Sequence, residues 1–179
     1  SSGLDLPLGI PDELGARWCD IPDTNSPLDV ASLCAALPTV AGITTVTGPM
    51  SDPGGRVAAV VRAGRGQFAG TVVDVGRGPF PPDLLGPNDP LVLVTPATLA
   101  GVVAGRRLLE AVSPSRITLV VRPTPWLPAE RVAEQVGADV MLMLPRWRRA
   151  AELTDVGDLL GGRGGRALRR FGRSVWARG

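Results

Sequence analysis

Short apolar runs rich in β-branched residues recur along the chain at Ile43–Thr47, Thr71–Val75, Leu91–Thr95, Ile117–Val121 and Val140–Leu144. Each is too brief for a helix, and the spacing predicts buried strands. Between them lie stretches whose apolar positions follow helical spacing: Leu28–Leu37, Arg56–Arg65, Thr98–Val112 and Pro128–Val136. Strands alternating with helices at this interval predict βαβ units, and so an α/β fold with a mostly parallel sheet flanked by helices.

Local signals fit these positions. Thr98 or Thr95 can cap the helix carrying Leu99, Val102, Val103 and Leu108, and Pro114 closes it. Pro128 is placed to start the next helix, and Gly137 to stop it. The segment Gly76–Pro90 reads as a long loop leaving the carboxyl end of a strand, where open α/β sheets bind ligands. Near the end, Gly161–Gly165 reads as a flexible hinge between a domain spanning 1–160 and a terminal segment, 161–179. On a helical wheel Leu168, Phe171, Val175 and Trp176 fall on one side of that segment, and Arg166, Arg169, Arg170 and Arg173 on the other. It is a basic amphipathic helix.

Composition narrows the chemistry. The 179 residues include no His and no Tyr, and all 19 residues of the Lys+Arg count are Arg. That excludes a Ser-His-Asp or Cys-His nucleophile, a Schiff-base lysine and a phosphate-loop lysine from this chain. Cys19 and Cys34 cannot build a zinc site by themselves and read as free, reduced, mostly buried thiols. The net charge of +2 is unevenly spread: from Arg146 onward nine arginines face Glu152, Asp155 and Asp158, so the basic character belongs to the tail. No stretch approaches the roughly 20 apolar residues of a membrane span. With no signal peptide, this predicts a cytoplasmic protein. The start at Ser1, without an initiator Met, fits a fragment.

Three features carry candidate chemistry. Asp74 ends the predicted strand Thr71–Val75 and runs into Gly76-Arg77-Gly78, where a carboxylate can hold Mg²⁺ through water beside nucleotide phosphates. Many such acids merely cap the next turn, as Asp52, Asp83 and Asp89 do on this reading. Arg146, Arg148 and Arg149 with Trp147 can neutralise and stack on nucleic acid, or form a solvated helix start with one anchoring indole. The terminal helix can dock on its own domain, lie in an anionic membrane surface or bind DNA non-specifically.

The order of these pieces matters more than any one of them. Asp74 is followed by Leu91–Ala97, by Ile117–Pro123, and by Val132-Ala133-Glu134-Gln135-Val136-Gly137-Ala138-Asp139-Val140 running to Leu144-Pro145-Arg146. This series resembles the second half of the MinD/ParA-like group of P-loop ATPases, in particular CpaE-like and septum site-determining proteins of GC-rich bacteria. Gly3-Leu4-Asp5-Leu6-Pro7-Leu8-Gly9 resembles their "GGLDLLLG" segment, and Trp18 with Leu33–Pro38 continues the likeness over most of residues 3–160. The resemblance implies a P-loop NTPase topology missing its first strands, one of them between the strands of Asp74 and Leu91. It implies Asp74 as the Mg²⁺-side acid, Arg122 at an adenine-reading position where many relatives carry Asn, and Pro145 in the loop covering the base. ATP and Mg²⁺ would belong to an intact parent and not to this chain alone.

The resulting expectation is a regulator of septum placement or envelope-machine localisation. It acts through a protein partner or homodimer and through peripheral contact with an anionic membrane, by way of Arg166, Leu168, Arg169, Arg170, Phe171, Arg173 and Trp176. A truncated but active ATP-dependent switch and a DNA-binding accessory protein are the alternatives.

Overall fold

In the computed structural model, the described residues are 4–10, 14–24, 26–40, 42–48, 55–76, 84–114, 116–138, 140–144 and 162–177. The chain divides into two compact units, one of Ser1–Arg77 with Arg149–Gly164 and one of Gly78–Arg148 with Gly165–Gly179.

The second unit holds the βαβ pattern. Strands β3 (Pro90–Pro96), β4 (Arg116–Arg122) and β5 (Val140–Met143) pair in parallel, in the order β3-β4-β5. Helices α4 (Leu99–Val112) and α5 (Ala129–Val136) connect them. Leu93, Leu119 and Val121 point to one sheet face and form a core with Val102 of α4 and Ala129, Val132 and Val136 of α5. Leu119, Val121 and Val132 are completely buried. Each such side chain contributes about 1.5–3 kcal/mol through removal from water. The α/β fold with a helix-flanked parallel sheet is therefore as expected.

Helix ends follow local chemistry. The Thr98 hydroxyl accepts the Gly101 N–H at 3.1 Å, capping α4, and Ser113 closes that helix in the left-handed region at φ 46°. Gly137 stops α5 at φ 77°. Pro128 sits one position earlier than expected. Its backbone is extended, and its carbonyl takes the first helical N–H, from Val132 at 3.3 Å. Helix α6 (Gly162–Trp176) belongs mainly to this unit by contact. It begins inside the glycine run that reads as a hinge, so residues Gly162–Gly165 form its first turn.

The first unit departs further from expectation. Its elements are α1 (Asp5–Leu8), a 3₁₀ turn (Trp18–Asp20), α2 (Val30–Ala36), β1 (Thr39–Val40), β2 (Ile43–Thr44) and α3 (Arg56–Gly64). The run Ile43–Thr47 yields only the two residues of β2, and they pair antiparallel with β1 across a turn containing Gly42 at φ 78°. Two further backbone groups of the run find loop partners: the Thr45 N–H donates to the Pro38 carbonyl at 3.0 Å, and the Thr47 carbonyl accepts from Trp18 at 3.0 Å. Thr71–Val75 is no strand at all. It pairs with no described strand, and Val72 is 84% exposed. A strand exists only with a neighbour to satisfy its N–H and C=O groups, and this run has none among the described residues.

Candidate functional site

The carboxyl edge of the parallel sheet is tied together by the loops that follow β3 and β4. Ala97 donates its N–H to the Arg122 carbonyl at 2.9 Å, and the Thr124 hydroxyl donates to the Ala97 carbonyl. Gly101 lets the first turn of α4 close onto β3: a Cβ there would stand 2.3 Å from the Pro96 oxygen and 2.6 Å from Thr95 Oγ1. This frame presents the exposed Arg122, in register with Pro96, and the indole of Trp126, which is 81% exposed. Leu99, at the start of α4, is 77% exposed. A cation and large apolar groups are thereby exposed together at the ends of β3 and β4.

Asp74 lies elsewhere, in the first unit. Its Oδ1 accepts the Gly76 N–H at 2.9 Å, with Gly76 at φ 63°, so the carboxylate closes its own turn on an exposed segment. The same use is seen at Asp89, which accepts the Gly86 N–H at 2.8 Å. Asp74 and Arg122 belong to different compact units, and Pro145 lies outside the described residues, as do Arg146, Trp147, Arg148, Arg149, Asp52 and Asp83. The donor set does not fit a Mg²⁺-bound nucleotide. The acid that would face the metal is engaged in a turn at the end of an unpaired segment, and the chain has no lysine for the phosphates.

Helix α6 keeps the two-sided character read from its spacing. Arg166, Arg169, Arg170 and Arg173 are exposed, whereas Leu168, Phe171 and Val175 are half-buried and Trp176 is 63% exposed. No acidic residue follows Asp158, so this helix meets its surroundings as a cation. No described helix is long and apolar enough to cross a membrane.

One cluster escapes sequence reasoning. The Arg17 guanidinium contacts Asp5 at 2.9 Å and donates to the Thr47 hydroxyl at 2.8 Å, and Thr47 in turn donates to Asp5. Thr47 is 3% exposed. The three residues come from three separated segments, and only a charged pair flanked by apolar residues hints at them. Cys19 and Cys34 are free thiols, but Cys19 is exposed and Cys34 half-buried, so the expectation of mostly buried thiols is corrected. The 3₁₀ turn sets Cys19 beside Asp20 on the surface.

No family model matches this chain, and no solved structure matches it. Two curated relatives come from Mycobacterium tuberculosis: Uncharacterized protein MT3760 of strain CDC 1551 / Oshkosh and Uncharacterized protein Rv3660c of strain ATCC 25618 / H37Rv. Each is 32% identical over 169 residues, which cover 89% of this chain and 48% of the relative. The chain thus spans about half the length of the curated relatives it matches.

Proposed function

We propose that the chain is part of a MinD/ParA-like, CpaE-type regulator of septum placement or envelope-machine localisation, working by protein and membrane interaction without ATP turnover of its own. The observation that carries this reading is α6, with four exposed arginines on one side and Leu168, Phe171, Val175 and Trp176 on the other. A short amphipathic cation of this kind binds reversibly to anionic bilayers, its apolar side entering the headgroup boundary and its arginines meeting lipid phosphates. The ordered series β3, β4 and β5 with its two connecting helices supports the P-loop-like topology as the parent architecture. Absence of lysine and the engaged Asp74 support action without hydrolysis.

Co-sedimentation with anionic and with neutral vesicles, using the full chain and a form lacking residues 163–179, tests the reading. Binding that requires both the helix and anionic lipid is expected. Absence of binding to either vesicle would overturn the membrane part and leave a partner-binding role. Tight, Mg²⁺-dependent ATP binding with hydrolysis by the chain would overturn the claim that it does not turn over nucleotide.

A further inference from the structure

Helix α6 carries a single side-chain hydroxyl, that of Ser174, and it stands on the seam between the helix's two sides. Ser174 follows Arg170 by one turn, and its Oγ donates to the Arg170 carbonyl at 3.2 Å. At about 100° per residue it falls between Arg170 on the arginine side and Phe171 on the apolar side. It is half-buried, as Leu168 and Phe171 are, while Arg170 and Arg173 are exposed. The run Arg169-Arg170-Phe171-Gly172-Arg173 sets three guanidinium groups just ahead of it, and no acid follows Asp158.

We propose that Ser174 is a phosphorylation site and that its modification releases α6 from anionic lipid; the inference rests on the membrane reading of α6 and supplies its regulation. The donor is the γ-phosphoryl group of ATP held by a serine kinase. A bond forms between Ser174 Oγ and that phosphorus, the bond to the departing ADP oxygen breaks, and the hydroxyl proton passes to the kinase's base. The arginines ahead of the serine complement a kinase whose substrate groove is acidic. Access to the hydroxyl costs little. Ser174 lies in the last turn of α6, where helices fray, and Gly172 beside it has a low helix preference.

A phosphoserine brings about −1.5 to −2 charges and three acceptor oxygens at neutral pH. Each effect of that group at position 174 acts against the bilayer. It offsets much of the charge of Arg166, Arg169, Arg170 and Arg173, which carries the attraction to anionic headgroups. One turn from Arg170, the phosphate competes with lipid phosphates for that guanidinium. On the seam it also puts an anion where the apolar side enters the headgroup boundary. In the last turn it meets the negative end of the helix dipole, which loosens the turn holding Val175 and Trp176.

Co-sedimentation with anionic vesicles tests it, using the full chain with phosphoserine installed during synthesis at position 174 or, as a control of equal charge, at the exposed position 26 of the first unit. Phosphate at 174 is expected to weaken binding roughly ten- to thirtyfold. Phosphate at 26 and Ser174→Ala are expected to leave it unchanged. In a second arm the native chain meets an arginine-directed serine kinase domain with MgATP, and mass spectrometry is expected to find phosphate on Ser174. A native chain that binds no anionic vesicle would overturn the membrane reading and this inference with it. Binding by the native chain that phosphate at 174 leaves unchanged, equal loss from phosphate at 26, or a chain left unmodified at Ser174 by the kinase would overturn this inference alone.

Discussion

The Arg17 guanidinium and the Asp5 carboxylate meet at 2.9 Å with side chains only 13% and 22% exposed, and both contact the hydroxyl of Thr47. Three segments distant in sequence are held at one point. Hydrogen bonds to charged groups contribute about 1.5–3 kcal/mol each. Asp5→Ala and Arg17→Ala should each lower the unfolding free energy by an amount in that range. The double variant should lose less than the sum, because either single change already breaks the shared network. Additive losses in urea unfolding would show that the two residues act separately.

Two glycines should respond in opposite directions. Gly101→Ala drives a methyl group into the Pro96 carbonyl, which is backbone and cannot rotate away. Overpacking of this kind costs about 1–3 kcal/mol, against at most about 1 kcal/mol gained from alanine's helix preference. Gly172 in α6 has nothing within 4 Å of an added Cβ, so Gly172→Ala should keep that gain. Thermal melts of the two variants should move apart, the first downward and the second upward.

The sheet core has its own test. Leu119 is at 0% exposure among Leu93, Val102 and Val132. Leu119→Ala should destabilise by about 2–5 kcal/mol, from lost transfer energy plus the cavity left behind. A loss below this range in chemical denaturation would mean that the sheet collapses around the gap.

Asp29 predicts an acid-side dependence. It caps α2 by accepting the Ser32 N–H at 2.8 Å. Its carboxyl is held below the ordinary aspartate value, first by the side-chain hydrogen bond with Ser32 and then by the Ser32 backbone. A depressed folded-state pKa gives stability that is fully present above the unfolded-state pKa and is lost as pH falls through the folded one. Asp29→Asn keeps a capping oxygen, so its stability should be less sensitive to pH across that acid window than the native chain's. Parallel acid titrations of the denaturant midpoint check this.

On α6, each arginine near an anionic surface contributes about 1 kcal/mol. Arg166→Gln with Arg170→Gln should therefore weaken binding to anionic vesicles by roughly thirtyfold, without altering the low binding to neutral ones. Co-sedimentation of the double variant reads this directly. An unchanged affinity would mean that the helix makes its contacts through other residues.

The amino-acid pattern by itself determined what is local. The apolar runs of β3 and β4, the Thr98 cap, the Gly137 stop and the two-sided α6 are all set by side chains within a few residues of one another. Rotamer, capping and burial preferences act over that range. Arg122 and the α6 arginines stand on the elements expected of them for the same reason. What only the tertiary structure decided is pairing. Thr71–Val75 has the composition of a buried strand and is unpaired, because composition reports how a strand would bury its side chains and not whether a neighbour exists to take its backbone hydrogen bonds. That loss turned Asp74 from a sheet-edge acid into the closing group of its own turn. Nothing in local spacing joins Asp5, Arg17 and Thr47, and nothing in it leaves Val92 and Val94 exposed while Thr118 and Val120, in register with them, are buried. Both follow from which segments meet in space, and each meeting depends on the hydrogen-bonding capacity that the rest of the fold leaves unsatisfied.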